Sequence, residues 1–321
     1  MSTKLDSSLF VDVADAIGLG NPAIVEKDYY VVQLLQLISS LDLEYHQIVF
    51  SGGTALAKSA IKTYRMSEDI DIKLIPKENY SELTSRNSRK QVRKAVKQFI
   101  ASLLEQHSLF VIEEKAIVRD EYRYFVFNIR YPQEHQQAPC LRPFIKLEFI
   151  ESDLLSEPQT RSIQSIYSEV VKTNIEVEKL GCAAIIDTQA EKLLSMMRRT
   201  ASAARNAERG DDETLIRHIY DTYHIQLAQP SKIEILGPLV AKAIQSDVGR
   251  YGNQHPQMVD SPIDELRYGL KLLVEEEKFI ERYNSYVSPM VYADDPTQWF
   301  DALAVFLKLA NEVLDYIEQK R

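Results

Sequence analysis

The sequence predicts an α+β protein with a mixed-sheet core, an N-terminal helical segment and a C-terminal helical bundle. Short β-rich runs, among them QIVFSG, DIDIKLI and PFIKLEFIE, alternate with turn residues between residues 47 and 150. A long helical segment at 84–106 separates them, and the chain after Asp187 reads as helical nearly to its end. We therefore expect two domains, residues 1–187 and 188–321, the second completing the active site.

Composition excludes several classes of protein. The chain has 321 residues, of which 45% are hydrophobic, so it can bury a sizeable core. No apolar run approaches the length of a membrane span, and the N-terminus lacks the apolar region of a signal peptide. Two cysteines, Cys140 and Cys182, are too few for a disulfide framework. We expect a cytoplasmic protein with no membrane partner, whose net charge of −9 requires a local basic patch for any polyanion.

Two aspartates mark the strand DIDIKLI. Side chains alternate along a strand, so Asp69 and Asp71 share one face while Ile70 and Ile72 share the other. Two neighbouring carboxylates repel unless a cation lies between them, and oxygen ligands suit Mg²⁺. The pattern therefore favours a magnesium site, although a solvated, half-buried strand would show the same alternation.

Two glycines precede this strand. Gly52 and Gly53 end the run QIVFS and open the helical run TALAKSAIK. Backbone amides at such a turn approach a phosphate closely, and the helix N-terminus adds a favourable dipole. Thr54 and Lys58 follow within the first turns. The combination indicates a phosphate cradle; an ordinary tight turn is the alternative for the glycines alone.

A third acidic group is predicted on another strand. Glu148 lies between Leu147 and Phe149, so its side chain faces away from theirs. Three carboxylates on one sheet face would serve two metal ions in an in-line displacement. A surface glutamate on an edge strand is the plain alternative, and Glu151 and Asp153 compete for the same role.

The helical region after Asp187 supplies further charged residues. Lys192 and Arg199 are two turns apart and share a helix face, which suits a triphosphate. Further on, Arg217, Asp221 and His224 form a stripe along another helix. Arg217 and Asp221 would also fit a simple surface ion pair.

The helical segment at 84–106 carries a dense cationic stripe. Its members share one helical face and are expected to bind RNA phosphates: Arg86, Lys90, Arg93 and Lys97. The opposite face, with Val92, Val96, Phe99 and Leu103, is expected to pack on the sheet. Tyr122 and Tyr124 are candidates for stacking on bases, and a solvated face without a partner remains the alternative.

Four motifs together resemble a known family. FSGGTALAKSAIKTYRMSEDIDIKL is similar to the signature of the AbiEii-type nucleotidyltransferases, toxins of abortive-infection and MenAT-like toxin–antitoxin systems in the DNA polymerase β-like superfamily. IVEKDYYVVQLL, AEKLLSMMRR and IRHIYDTYHI resemble the family's N-terminal helix and its third and fourth motifs, in the expected order. The resemblance covers residues 20–230 and leaves the C-terminal third unassigned.

The resemblance implies a role for each motif residue. Asp69 and Asp71 would bind Mg²⁺, Lys192 would contact the triphosphate and Asp221 would complete the active site. The expected nucleotide-binding residues are Gly52, Gly53, Thr54, Lys58, Arg65, Ser67 and Arg199. An aspartate is commoner than a glutamate at the position of Glu148, which departs from the family pattern.

The resemblance also implies a function. We expect a metal-dependent nucleotidyltransferase that uses an NTP, two Mg²⁺ ions and a tRNA 3′ end, and that inhibits growth in a toxin–antitoxin or phage-defence system with a cognate antitoxin. Nucleotidylation of a protein hydroxyl is a second enzymatic reading. A catalytically silent nucleotide- or RNA-binding module is the third, although intact Asp69 and Asp71 argue against it.

Overall fold

The structure is a computed structural model. It describes residues 4–59, 61–136, 141–206, 210–293 and 295–320. Cys140, which entered the cysteine count above, lies outside these ranges. No helix in them is long and apolar enough to cross a membrane.

The chain forms two compact units. The first comprises Met1–Ala60 and Met66–Ala183, and the second comprises Ile61–Arg65 and Ala184–Arg321. The five residues Ile61–Arg65 therefore belong with the C-terminal helices, although in sequence they lie between two elements of the first unit. The predicted α+β class with its mixed sheet and helical flanks is confirmed.

The first unit contains an eight-stranded sheet and five helices. In chain order they are α1 (Ser8–Ala16), α2 (Pro22–Ser39), β1 (His46–Ser51), α3 (Gly52–Ser59), β2 (Asp69–Pro76), α4 (Arg86–Glu105), β3 (Val111–Ile112), β4 (Ile117–Arg119), β5 (Tyr124–Arg130), β6 (Ile145–Glu151), β7 (Gln159–Ile163), α5 (Ile166–Val171) and β8 (Val177–Cys182). The strand order is β3-β5-β6-β2-β1-β8-β7, and β4 pairs with β5.

Strand β2 lies inside this sheet. It pairs antiparallel with β1 and parallel with β6. Ile70 and Ile72 are fully buried, so one face of β2 packs into the core and the other carries the aspartates. Strand β6 alternates in the same way, with Leu147 and Phe149 buried.

Helix α2 is buried on nearly every side. The Asn21 side chain caps it by accepting a hydrogen bond from the Ala23 amide at 2.9 Å, and Pro22 occupies its first position. A helix buried this completely is expected to be apolar. Instead, Glu26, Lys27 and Asp28 lie inside it, each at most 1% exposed.

The second unit is helical. Its helices are α6 (Ile185–Arg205), α7 (Arg217–Ala228), α8 (Ile233–Tyr251), α9 (Pro256–Asp260), α10 (Pro262–Glu275), α11 (Lys278–Tyr286) and α12 (Trp299–Gln319). Helix α10 crosses α6 so closely that a Cβ on Gly269 would lie 2.1 Å from the Met197 carbonyl oxygen. Because only glycine fits there, Gly269 sets the spacing of this helix pair.

The segment Ile61–Arg65 is tied to these helices by its backbone. The Thr63 carbonyl accepts a hydrogen bond from the Tyr220 hydroxyl at 2.7 Å, and the Tyr64 carbonyl accepts one from the Tyr292 amide at 2.8 Å. Arg65 forms an isolated β-bridge with Val291. These contacts fix the position from which the Arg65 side chain projects.

Candidate active site

The turn from β1 into α3 requires glycine at its first position. Gly52 has a φ of +78°, a conformation that side chains with a Cβ adopt only with strain. A Cβ there would also lie 2.0 Å from Oδ2 of Asp71. The register of the β1–β2 pair, in which Ser51 lies opposite Asp71, brings the two together. The glycine turn and the acidic strand are therefore parts of one local structure.

The acidic face of the sheet extends from β2 onto β6. Asp69 and Asp71 are both half-buried on the face away from Ile70 and Ile72. In the parallel β2–β6 pairing, Asp71 lies opposite Glu148. The three carboxylates predicted from sequence thus occupy one face of two adjacent strands.

Basic side chains neutralise part of this face. Arg142 Nη1 pairs with Oδ1 of Asp69, and Lys146 Nζ lies 2.6 Å from Oε2 of Glu148. Glu148 also accepts a hydrogen bond from the Tyr124 hydroxyl at 2.8 Å. Burial, together with the Glu148 charge, raises the pKa of Tyr124 to about 12. Burial lowers the pKa of Lys146, but the Glu148 carboxylate outweighs it and raises that pKa above its ordinary value.

These contacts bear on the fit of a divalent metal. Oxygen donors are the ligands that Mg²⁺ prefers, and Asp69 already has a cationic group against it. Within the described ranges, however, no three His, Cys, Asp or Glu side chains are gathered closely enough to hold a metal ion. The aspartate pair fits a cation, whereas Glu148 as the third ligand stays a prediction.

The alternative third ligand Glu151 is wrong on structural grounds. Glu151 lies on the buried face of β6, opposite to the face of Glu148. Its carboxylate accepts hydrogen bonds from the Tyr80 hydroxyl at 2.7 Å and from Arg93 at 3.2 Å. These partners place it in the core rather than beside the aspartates. Asp153 follows the end of β6 and is exposed.

The predicted phosphate-binding residues of α3 already have partners. Thr54 is 1% exposed; its hydroxyl donates to the Asp69 carbonyl and lies 2.9 Å from Ser67 Oγ, whose own hydroxyl can donate to it. It therefore anchors α3 to the start of β2. Lys58 pairs with Asp28 and donates to the Gln164 carbonyl at 3.3 Å. Phosphate contacts by Lys58, Gly53 and Ser67 stay predictions.

In the second unit, three predicted residues from distant segments form one buried cluster. Asp221 is 1% exposed and accepts hydrogen bonds from Arg65 at 3.0 Å and from Lys192 Nζ at 2.8 Å. Burial alone would raise the pKa of Asp221, but Arg65 and Lys192 outweigh burial and hold it well below its ordinary value. Two cationic side chains thus contact one buried carboxylate.

Two other predicted residues of the second unit have partners outside this cluster. Arg199 pairs with Asp212 at 2.7 Å and its side chain is 40% exposed. Arg217 donates from Nε to the Tyr286 carbonyl at 3.2 Å. The surface ion pair considered for Arg217 and Asp221 does not describe Asp221, whose carboxylate is buried against Arg65 and Lys192 instead.

The predicted RNA-binding face of α4 needs correction. Arg93 is 1% exposed and points inward, where it donates to the Tyr80 hydroxyl at 2.9 Å as well as to Glu151. Lys97 is half-buried over the Phe127 ring, 5.5 Å from its centroid. Phe99, expected in the core, is 51% exposed. Of the cationic stripe, only Arg93 is therefore buried on the inner face of α4, where it pairs with the buried carboxylate of Glu151; Lys90 and Lys97 are half-buried and Arg86 is exposed.

Four residues of this site were missed from sequence, and one of them is Lys146, which pairs with Glu148. Arg142 contacts Asp69, and the buried pair of Lys27 and Glu68 holds the Arg142 backbone. Because β2 and β6 are parallel, the residues that precede the two strands lie at the same end of the sheet, and Arg142 precedes β6. Its contact with Asp69 could have been predicted only if this strand pairing had been known. The pairing of β2 with β6 was not deducible from the sequence pattern.

One family model matches most of this chain. The family model described as the nucleotidyl transferase AbiEii toxin of type IV toxin–antitoxin systems matches residues 33–305. The solved structure of MenT4, a nucleotidyltransferase toxin from Mycobacterium tuberculosis H37Rv, has a TM-score of 0.62 at 17% identity, covering 97% of this chain and 90% of that one. This likeness shows a shared fold.

Two structures from Helicobacter pylori match more weakly. JHP933 has a TM-score of 0.40 at 13% identity, covering 99% of this chain and 96% of its own. A putative nucleotidyltransferase has a TM-score of 0.41 at 13% identity, covering 92% and 96%. The comparison with curated proteins found no significant match.

Proposed function

Because the chain belongs to the AbiEii family of nucleotidyltransferase toxins of type IV toxin–antitoxin systems, we propose that it transfers a nucleoside monophosphate from an NTP to the 3′ end of a tRNA. The observation that carries this proposal is the half-buried pair Asp69 and Asp71, with the Asp71 carboxylate packed against Gly52. The fold it shares with a nucleotidyltransferase toxin supports the same reaction class.

The first unit would bind the metal and the phosphates. Asp69 and Asp71 would hold one Mg²⁺ ion. A second ion would bind if Glu148 gave up its ion pair with Lys146 and coordinated the metal instead. Bound metal would neutralise the triphosphate and lower the pKa of the acceptor hydroxyl. The amides that follow Gly52 open α3, where the helix dipole favours a phosphate group. Because a Cβ at Gly52 would displace Asp71, carboxylate and phosphate positions are set by the same turn.

In the second unit, the cluster of Arg65, Lys192 and Asp221 would bind the triphosphate. Asp221 is held ionised and fixes both cations in place, so neither has to be ordered when the nucleotide binds. Two cationic side chains in fixed positions favour a polyphosphate. Lys192 carries the ammonium group and Asp221 orients it; Arg199 would add an exposed cation on the same helix.

The reaction balances without any further reagent. The acceptor hydroxyl oxygen forms a bond to the α-phosphorus while the bond to the β-phosphate oxygen breaks, and pyrophosphate leaves. The hydroxyl proton passes to water. The chain contributes positioning and fixed charge, which supply most of the acceleration in phosphoryl-group transfer.

Label transfer tests this proposal directly. Purified protein is incubated with each of the four α-³²P-labelled NTPs in the presence of total RNA or of total protein. We expect label on RNA of tRNA size, and none with Asp71→Asn, whose melting temperature should match that of the wild type. Label on protein alone would establish protein nucleotidylation. Absence of transfer with every NTP and acceptor would leave the silent binding module.

The family also implies a partner. Type IV systems include a cognate antitoxin, so expression of the active chain alone should inhibit growth and co-expression of the antitoxin should restore it. We expect Asp71→Asn to abolish growth inhibition without an antitoxin. Normal growth on expression of a wild-type chain that labels RNA in vitro would contradict the role as a toxin.

A further inference from the structure

Helix α2 buries three consecutive charged residues for which the proposed reaction has no use. Glu26, Lys27 and Asp28 are exposed by 1%, 0% and 1%. Burial of ionised groups costs free energy unless each group is paired and hydrogen-bonded. Burial in fact lowers the pKa of Lys27 and raises that of Glu26. Such a costly arrangement calls for an explanation in what these side chains hold.

Two of the three hold the segment between β5 and β6. Glu26 accepts hydrogen bonds from the amides of Glu134 at 2.8 Å and His135 at 3.1 Å. Lys27 donates to the carbonyl of Arg142 at 2.7 Å. The described residues of this connection are thereby fixed to α2 at residues 134–135 and at residue 142.

Arg142 is held at both of its backbone polar groups by one buried ion pair. Lys27 Nζ lies 2.5 Å from Oε2 of Glu68, and the two side chains are 0% and 1% exposed. The same Glu68 oxygen accepts a hydrogen bond from the Arg142 amide at 2.8 Å, while Lys27 Nζ donates a hydrogen bond to the Arg142 carbonyl. With its backbone fixed, Arg142 directs its guanidinium to Asp69, the residue next to Glu68.

We propose that Arg142 is a built-in counter-ion of Asp69, which orients this carboxylate in the metal-free protein and which competes with a divalent metal for it. The inference rests on the proposed function, in which Asp69 is a metal ligand. Arg142 Nη1 contacts Oδ1 of Asp69, so a metal can bind this oxygen only when the guanidinium leaves it, and the guanidinium charge repels a metal on either oxygen. Arg142 is thus a positioning residue that tunes metal affinity.

Exposure shows that the exchange is physically accessible. The Arg142 side chain is 31% exposed and that of Asp69 is 25% exposed. The guanidinium can therefore move into solvent by side-chain rotation while Lys27 and Glu68 keep its backbone in place. The buried pair of Lys27 and Glu68 would thus keep the Arg142 backbone where its side chain can contact Asp69 again when the metal leaves.

The test measures binding of Mn²⁺ alone, followed by electron paramagnetic resonance of the full chain without nucleotide. Arg142→Gln removes the competing charge. We expect roughly tenfold tighter Mn²⁺ binding, which is the order of the Coulomb repulsion between two partly solvated cations bound to the same carboxylate. Arg142→Lys keeps the charge and should stay within about threefold of the wild type. Arg130→Gln is the matched control, since Arg130 is 60% exposed and pairs only loosely, at 3.8 Å, with Glu113.

The outcomes separate this inference from the metal assignment itself. Asp69→Asn should weaken Mn²⁺ binding in every background. If Asp69→Asn weakens binding but Arg142→Gln leaves it unchanged or lowers it, the counter-ion role is overturned and the metal pair stands. If neither substitution changes binding, or no variant binds Mn²⁺, both are overturned. A melting curve for each variant shows that affinity, not folding, has changed.

Discussion

Arg65 and Asp221 lie 156 residues apart in the chain, yet the guanidinium of Arg65 contacts both carboxylate oxygens of Asp221 at 3.0 Å. Lys192 reaches the same carboxylate from α6. All three side chains are at most 7% exposed. One buried anion therefore joins the segment Ile61–Arg65 to two helices of the second unit.

Asp221→Asn should destabilise the second unit strongly. The substitution removes the buried carboxylate that pairs with Arg65 and Lys192, and removing one partner of a buried ion pair typically costs about 3–5 kcal/mol. Urea unfolding of the purified protein, followed by circular dichroism, measures the change. Asp212→Asn is the matched control, because its pair with Arg199 is 39% and 40% exposed and should contribute less than about 1 kcal/mol. Equal losses for the two variants would contradict the buried-anion role.

The same carboxylate predicts how stability depends on pH. The pKa of Asp221 is held below its ordinary value of 3.8, so its contribution is complete above about pH 4 and declines as the pH falls toward the folded-state pKa. The difference in unfolding free energy between wild type and Asp221→Asn should therefore narrow below pH 4, by at most about 1.4 kcal/mol per pH unit. Urea titrations at several pH values between 6 and 3 measure it; a constant difference would argue against the depressed pKa.

Gly52→Ala should impair both folding and transfer. A residue with a Cβ at φ +78° carries about 1–2 kcal/mol of strain, and the Cβ would also push against the Asp71 carboxylate. We expect a loss of stability of at least that size and a loss of nucleotide transfer, measured by unfolding and by label incorporation. Gly20→Ala is the control, because nothing lies within 4 Å of its Cβ position and its φ is not positive. Wild-type transfer by Gly52→Ala would show that the turn does not set the position of Asp71.

The strands and the acidic face were predictable because alternation is a local property. Asp69 and Asp71 had to face away from Ile70 and Ile72 once DIDIKLI formed a strand, and the structure shows this. The cluster at Asp221 was not predictable as a cluster, because its three members come from segments that only the tertiary fold brings together. The resemblance of the motifs to the family identified the three residues, but their contacts with one another depend on the tertiary fold.

Helix α4 shows where sequence periodicity fails. Period 3.6 groups Arg86, Lys90, Arg93 and Lys97 on one face, but it does not say whether that face lies inside or outside. A basic stripe would normally be solvated. Here the register of β6 buries Glu151, and Arg93 forms an ion pair with it. The Arg93 side of α4 therefore faces the core. Apolar Phe99 is left in solvent as a result.

Arg93→Gln is accordingly predicted to act on stability rather than on RNA binding. It would leave Glu151 buried with one fewer cationic partner, at a cost of about 3 kcal/mol or more. Lys90→Gln, on the same helix but only half-buried, is the control and should change stability by less than about 0.5 kcal/mol. Chemical denaturation measures both. Should Arg93→Gln unfold at the same urea concentration as Lys90→Gln, the inward ion pair is not a stabilising contact.

RNA binding by α4 must then be tested without Arg93. The combined change of Arg86, Lys90 and Lys97 to Gln keeps helix propensity while removing three charges. If these residues bind RNA phosphates, the affinity for tRNA should fall and its dependence on salt should flatten, since fewer counterions are released on binding. Arg86 is 85% exposed and is the strongest candidate, although its pair with Glu121 at 2.9 Å must open for a phosphate to bind.

Filter binding at several salt concentrations measures the affinity and its salt slope for the wild type and the triple variant. NTP affinity serves as the internal control and should not change, because the proposed phosphate-binding residues lie on other elements. Arg267→Gln is a matched control in the second unit, where Arg267 already pairs with Asp315 at 2.7 Å and Glu318 at 2.6 Å. If the tRNA affinity and its salt slope are both unchanged in the triple variant, α4 does not bind RNA and its cationic side chains are only solvated. The acceptor would then have to be bound by other cationic groups, among which the exposed Arg199 is the first to test.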